Sequence, residues 1–295
     1  MSAGAAAPVE RIVIAPEARR PAVLEVIDSA RGRLDLSLFR CDDRAIIDAI
    51  GRAAARGVCV RALVTRRAKG SKGHLKQLRQ ALKRLGADVR RYADAVVRYH
   101  AKYAIADDGP AIVASLNFTR KCFGATCDFL LVSTEPVLVT GLRRLFEADW
   151  HGAAHSPVGR DTGRLIVGPE HARVRFADLL QQAVHTIRLV DPKVTDPAML
   201  RLLKAREAQG VRIAIRGRTG LGDLAPHGKL LMIDDRAAAI GSISLSTLAL
   251  EFRRELAVVI EDRPSLDALD RFWNSLPALD VRVPPAPMPT AEQVG

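Results

Sequence analysis

Apolar residues recur along this chain in two rhythms. Residues 11–17 (RIVIAPE), 33–38 (RLDLSL) and 57–63 (GVCVRAL) carry short, partly alternating apolar runs, which predict strands. Residues 45–55 (AIIDAIGRAAA) place their apolar side chains at helical spacing instead. The same series returns downstream as 164–170 (RLIVGPE), 186–190 (TIRLV), 197–207 (PAMLRLLKARE) and 210–216 (GVRIAIR). RIVIAPE and RLIVGPE are offset by 153 residues, and GVCVRAL and GVRIAIR keep that offset. The chain therefore reads as a duplicated unit. Each copy begins strand, helix, strand, helix, strand. This alternation predicts an α/β fold of two pseudo-symmetric halves, each a mainly parallel sheet flanked by helices.

Further along, the offset between the halves falls by 26 residues, to 127. The second half has lost about one helix and one strand, whose first-half counterparts are the amphipathic basic run HLKQLRQALKR and the residues after it, 74–89. Each half then closes with a helix, near 137–150 and 265–276. The halves are placed at 11–152 and 164–276, with the boundary among the Gly, Ser and Pro residues near 153–160. The Pro-rich tail, 281–295, is expected to be disordered.

Composition narrows the class. With 48% hydrophobic residues in 295, the chain can bury a substantial core, and no apolar run reaches the roughly 18 residues that a membrane span needs. The start, MSAGAAAPVERIVIA, has no basic leader followed by an apolar stretch, so a cytoplasmic enzyme is expected. Cys41, Cys59, Cys122 and Cys127 fit no paired zinc pattern and are expected to be reduced structural thiols; no cofactor and no metal are expected. The formal charge of +12 favours polyanions, either nucleic acid or anionic lipid headgroups. Residues 66–76 (RRAKGSKGHLK) are either a solvated loop or a phosphate-binding one. His151, His155, His171 and His185 have no partner at recognisable spacing, whereas Trp150 and Trp273 are expected in the core.

The chemistry sits in a repeated constellation. His100-Ala-Lys102 is followed after four residues by Asp107 and then by Ala114-Ser115-Leu116-Asn117. His227-Gly-Lys229 is followed at the same spacings by Asp234 and Gly241-Ser242-Ile243-Ser244. An acid lies 13 residues after each Ser, at Asp128 and Glu255. In a strand, residues i and i+2 share a face, so each His points with its Lys. Two halves packed together would join two imidazoles and two ammonium groups around one phosphate. Lysines neutralise phosphate oxygens, one imidazole attacks phosphorus, and the other serves as acid and then base. Ser115, Asn117, Ser242 and Ser244 are candidate phosphate donors, and Asp128 and Glu255 candidate orienting acids.

The doubled HxKx4Dx6GSxN pattern, running over nearly the whole chain, resembles the phospholipase D superfamily. The resemblance implies a pseudo-twofold fold with one site at the interface of the halves, and a metal-independent displacement through a phosphohistidine. Its catalytic set would be His100, Lys102, His227, Lys229, Asp107 and Asp234, the two aspartates more structural than chemical. It favours His100 as nucleophile and His227 as acid and base. Three positions depart from the pattern: Ala114 replaces the usual Gly, Ser244 the usual Asn, and Asp128 the usual Glu. The implied function is a phosphodiesterase that hydrolyses or transfers a phosphodiester, with phospholipid the leading substrate class. Alternatives are a nucleic-acid phosphodiesterase and a non-catalytic polyanion-binding protein. The expected partners are the phosphodiester substrate and the surface of an anionic membrane, and the expected state is a monomer with an internal pseudo-dimer.

Overall fold

A computed structural model of the chain describes residues 9–67, 72–152, 163–277 and 283. The first half runs β1 (Glu10–Val13), α1 (Pro16–Ser29), β2 (Arg33–Leu38), α2 (Arg44–Ala55), β3 (Cys59–Val64), α3 (Lys72–Arg84), β4 (Asp88–Arg91), β5 (Arg98–Tyr99), β6 (Tyr103–Ala106), β7 (Ala111–Ala114), α4 (Arg120–Gly124), β8 (Thr126–Cys127), β9 (Leu130–Ser133) and α5 (Pro136–Trp150). The second runs β10 (Leu165–Val167), α6 (Ala172–Gln181), β11 (Thr186–Val190), α7 (Pro197–Ala208), β12 (Arg212–Arg216), β13 (Ala225–Pro226), β14 (Lys229–Ile233), β15 (Ala237–Gly241), α8 (Thr247–Glu251), β16 (Arg253–Arg254), β17 (Leu256–Ile260) and α9 (Arg263–Ser275). The second series has no counterpart of α3 and β4, which matches the shortened offset.

Local chemistry sets the helix starts. Asp43 caps α2 by accepting from the Ile46 amide, and Asp196 caps α7 by accepting from those of Ala198 and Met199. Pro197 then opens α7, where its missing N–H costs nothing.

The described strands form a seven-stranded sheet, β1-β9-β7-β6-β2-β3-β4, and a six-stranded sheet, β10-β17-β15-β14-β11-β12. The α/β architecture in two related halves is as expected, but the sheets are mixed rather than mainly parallel. Only β2·β3 and β3·β4 in the first sheet, and β11·β12 in the second, are parallel. The remaining pairs are antiparallel, and short turns join two of them directly, β6 to β7 and its counterpart β14 to β15. The βαβ opening of each half set the expectation, and the motif-bearing hairpins reverse it.

Both faces of each sheet are covered. On one face of the first sheet, Leu34, Leu36, Ala104 and Ile112 pack with Val23, Ile27, Ile46 and Leu82 of α1, α2 and α3. In the second sheet, Leu231, Ile233 and Val259 pack with Phe176, Leu180, Leu200 and Leu203 of α6 and α7. A central core joins the opposite faces of both sheets with α5 and α9, and it contains Tyr103, Phe129, Leu230, Val258 and both tryptophans. The apolar strands flanking the motifs are thus buried on both faces. Arg254 and Asp149, both fully buried, form an ion pair of 2.9 Å between the halves. Burial of a guanidinium needs such a partner. The stretch 153–160 and all of the tail except Val283 lie outside the described residues, as do residues 68–71 of the basic stretch.

Candidate active site

Two very short ladders join the halves. Parallel pairing of β5 with β16 places Arg98 beside Arg253 and Tyr99 beside Arg254. Parallel pairing of β13 with β8 places Ala225 beside Thr126 and Pro226 beside Cys127. The next residue on each strand is a candidate site residue. Beyond β5 and β16 stand His100 and Glu255; beyond β13 and β8 stand His227 and Asp128. Each ladder therefore delivers the histidine of one half to the acid of the other. His100 Nδ1 is 2.7 Å from Glu255 Oε1, and His227 Nδ1 is 2.8 Å from Asp128 Oδ1. With both Nδ1 atoms engaged, the two Nε2 atoms are left for the substrate.

The site is tightly built. Lys102 Nζ lies 3.2 Å from His100 Nδ1 and donates to the His100 carbonyl; Lys229 donates to the His227 carbonyl. Each histidine stands one residue beyond a two-residue strand; Gly228 follows His227 because a Cβ there would stand 2.6 Å from the Cys127 carbonyl. Gly241 has the same kind of reason, as a Cβ would meet the Leu256 carbonyl at 2.2 Å. Its counterpart Ala114 sits in β7 with its methyl buried in the core, so this departure from the family pattern is accommodated.

The acids differ in their surroundings. Asp128 Oδ1 accepts from the Ser115 hydroxyl at 2.6 Å, and Oδ2 from the Thr126 hydroxyl at 2.5 Å. Burial acts to raise the Asp128 carboxyl, but these hydroxyls and His227 outweigh it and hold the group below its usual range. Glu255 accepts from Arg253 at 3.3 Å, while its Oε2 is buried with no hydrogen-bond partner among the described residues. Burial there wins over the nearby Lys102, Arg253 and Lys229, so Glu255 lies above the usual range. Burial, followed by the charges of Lys102, Arg253, Lys229 and His227, holds His100 well below the ordinary imidazole range. Burial also brings the Lys102 ammonium down to about 7, against the pull of Glu255 and with a further push from Lys229.

Several sequence candidates take other places. Asp107 and Asp234 do not join the histidines. Asp107 lies beyond β6, about 16 Å of strand from Lys102, and accepts from the amides of Arg31, Gly32 and Arg33 at 2.7–2.8 Å. Asp234 accepts from those of Val184, His185 and Thr186. Both have positive φ, 42° and 50°, a conformation that Asp tolerates better than most residues. Both clamp strand ends by accepting from backbone amides, and what they share with the two His–Lys pairs is spacing along the chain. Ser115 points its hydroxyl at Asp128, not at open space, and accepts from the Phe129 amide at 2.9 Å. Ser242 exchanges weaker bonds with the Leu256 backbone, at 3.2 and 3.4 Å. Ser244 lies 3.2 Å from the Ser246 hydroxyl. Asn117 is buried, and its Oδ1 has no partner among the described residues.

The structure adds residues that the motifs did not mark. The Phe39 ring stands edge-on to His100, with centroids 4.3 Å apart, and Lys102 Nζ lies 4.9 Å from its centre. Thr126 completes the hydroxyl pair on Asp128. Asp191, buried just past β11, accepts from the amides of Lys193 and Leu245, and burial pushes it up to about 6 against the pull of Lys229. Its signal in sequence is a lone Asp directly after an apolar strand. Cys122, Asp128 and His227 also place one ligand-type atom each within 4.8 Å of one another. Asp128 already receives Ser115, Thr126 and His227, so that trio is not a free coordination set.

The chain is similar to known proteins in sequence and in fold. Residues 23–150 match the family described as cardiolipin synthase, PLD-like domain. A mitochondrial cardiolipin hydrolase of Danio rerio is 29% identical over 131 residues, which span 44% of this chain and 56% of that protein. The match thus spans about half the length of this curated relative. The fold of the chain resembles a polyphosphate kinase from Porphyromonas gingivalis (TM-score 0.72, 18% identity, 90% of this chain and 46% of the other). It also resembles a phosphatidylserine synthase of Haemophilus influenzae Rd KW20 (TM-score 0.70, 12% identity, 91% and 86%). Two related halves, a doubled motif and histidine–acid pairs at their seam accompany these likenesses, and residues 23–150 are similar to the PLD-like domain of that family.

Proposed function

We propose that this protein cleaves phosphodiesters of phospholipids in two steps, with His100 as nucleophile and His227 as acid and base. The observation that carries the reading is the crossed pairing of each histidine with the acid of the other half. It holds both imidazoles by Nδ1, and His227 is near enough for its charge to act on His100.

The asymmetry of the acids supports the assignment of roles. His100 is kept neutral, with a free electron pair, as a nucleophile must be. His227 faces an ionised Asp128, the partner that a proton-donating imidazolium needs. In the first step His100 Nε2 bonds to phosphorus, the bond to the leaving oxygen breaks, and His227 protonates that oxygen. In the second, His227 takes a proton from water or an acceptor alcohol, whose oxygen attacks phosphorus and breaks the P–N bond. Lys102 and Lys229 offset the charge on the phosphoryl oxygens in both steps. Phospholipid is favoured because the matching family and the Danio rerio relative both carry cardiolipin in their descriptions. The charge of +12 suits contact with an anionic membrane surface, and no described helix is long and apolar enough to cross one.

A parallel assay on phosphatidyl vesicles and on labelled DNA and RNA tests the substrate. His227→Ala, given a p-nitrophenyl phosphodiester, tests the roles. The good leaving group needs little protonation, so a covalent adduct accumulates. Mass spectrometry under conditions that preserve phosphohistidine should place it on His100. An adduct on His227 in His100→Ala, and none on His100 in the converse variant, reverses the roles.

A further inference from the structure

We infer that Arg98 and Arg253 form a second anion subsite, which takes a phosphate adjacent to the scissile one on the same substrate. This rests on the phosphodiesterase reading above and extends it to the substrate's chemistry.

Arg98 and Arg253 are register partners in the parallel ladder that carries His100 and Glu255. Side chains two residues apart on a strand share a face. Arg98 therefore lies on the face of His100, and Arg253 on that of Glu255, about 6.6 Å further out along the strands. Arg253 confirms this direction by reaching Glu255 at 3.3 Å and adding its charge to those around His100. Two like charges side by side on neighbouring strands are unfavourable; Glu255 offsets that of Arg253 and leaves Arg98 to be matched. Among the described residues no carboxylate pairs with the Arg98 side chain, whereas Arg61, Arg164, Arg173 and Arg188 all have acidic partners within 3 Å. Arg98 also lines a cleft of about 150 Å³ with Arg66, Arg67 and Asp94, the last of which accepts from the Val96 and Val97 amides. The guanidinium fork suits a phosphate, which it can hold with two parallel hydrogen bonds. The preferred substrate is thus a phosphodiester with a second phosphate across a short carbon linker. A lipid with two phosphates on one glycerol and a nucleotide chain both present that chemistry.

The test compares p-nitrophenyl phosphodiesters with and without that second phosphate, on a glycerol and on a nucleoside carrier. For the wild-type protein, kcat/KM should be about tenfold higher with the second phosphate, the value of one charge-assisted contact. Arg98→Ala should erase most of this advantage and Arg98→Lys should keep part of it. Arg44→Ala, which removes an exposed charge from α2 on the outer face of the first sheet, should keep it all. An advantage on either carrier supports the subsite, and the larger one names the source. No advantage in the wild type, or an undiminished one in Arg98→Ala, overturns the inference. If no p-nitrophenyl ester is cleaved, the phosphodiesterase reading fails by itself. Calorimetric binding of glycerol 1,3-bisphosphate against glycerol 1-phosphate, in wild type and Arg98→Ala, then decides the subsite by the same ratio.

Discussion

Asp128 and His227 lie 2.8 Å apart, although 99 residues and the seam between two halves separate them. The same exchange joins Glu255 to His100. Each half is therefore incomplete: it supplies a histidine that only the other half can orient. This crossing makes a prediction that motif spacing alone does not. Asp128→Asn should behave like a change at His227, although Asp128 follows the first motif. Turnover of phospholipid should fall about 100-fold or more, while the adduct on His100 still forms from a p-nitrophenyl ester. Glu255→Gln should instead slow adduct formation. Rapid-quench kinetics on both variants distinguish these outcomes, and exchanged phenotypes would show that the acids act within their own halves.

The pH dependence follows from Lys102. Its ammonium sits near 7 in the free protein, lowered by burial and by the charges of Lys229 and Arg253, with Glu255 opposing. A lysine with a lowered value loses its proton, and its grip on phosphate, as pH rises through that value. The expected result is an alkaline limb near pH 7 in kcat/KM, which reports the free enzyme. Bound phosphate favours the ammonium form, so the limb in kcat should lie higher. An alkaline limb near pH 10 in kcat/KM, the ordinary lysine range, would contradict this.

Asp107 separates stability from chemistry. Asp107→Ala removes the acceptor for three backbone amides and puts an alanine at a φ of 42°. The cost should be about 2 kcal/mol, a fall of about 5 °C in Tm. The folded fraction should keep its kcat/KM, because the carboxylate is remote from the histidines. Calorimetry and active-site-normalised kinetics check both parts. An intact Tm with lost turnover would return Asp107 to the catalytic set.

Chelation tests whether the proposed steps run without a metal ion. The proposed steps use only imidazoles, lysines and the two acids, so excess EDTA should leave turnover unchanged. Cys122, Asp128 and His227 are close enough to attract a metal ion, but only if Asp128 gives up some of its hydrogen bonds. A loss with EDTA that zinc restores, and that Cys122→Ser abolishes, would make that trio a functional centre.

The sequence by itself determined the duplication, the α/β class and the two His–Lys pairs proposed as catalytic. Those properties live in local order. Apolar periodicity specifies strands and helices, and the spacing from His100 to Lys102 repeats from His227 to Lys229 because each half builds the same turn. The clamp role of Asp107 and Asp234 was half visible, as a spacing without a partner. Tertiary structure alone decided which acid serves which histidine, since the two-residue ladders β5·β16 and β8·β13 are too short to leave a periodic signal. It also decided the direction of the sheets, because antiparallel pairing of β6 with β7, and of β14 with β15, depends on turns rather than on strand composition. Phe39, Thr126, Asp191 and Arg253 reach the site from separate loops and strand ends. What brings them there is burial and proximity, which exist only once the two halves have closed on each other.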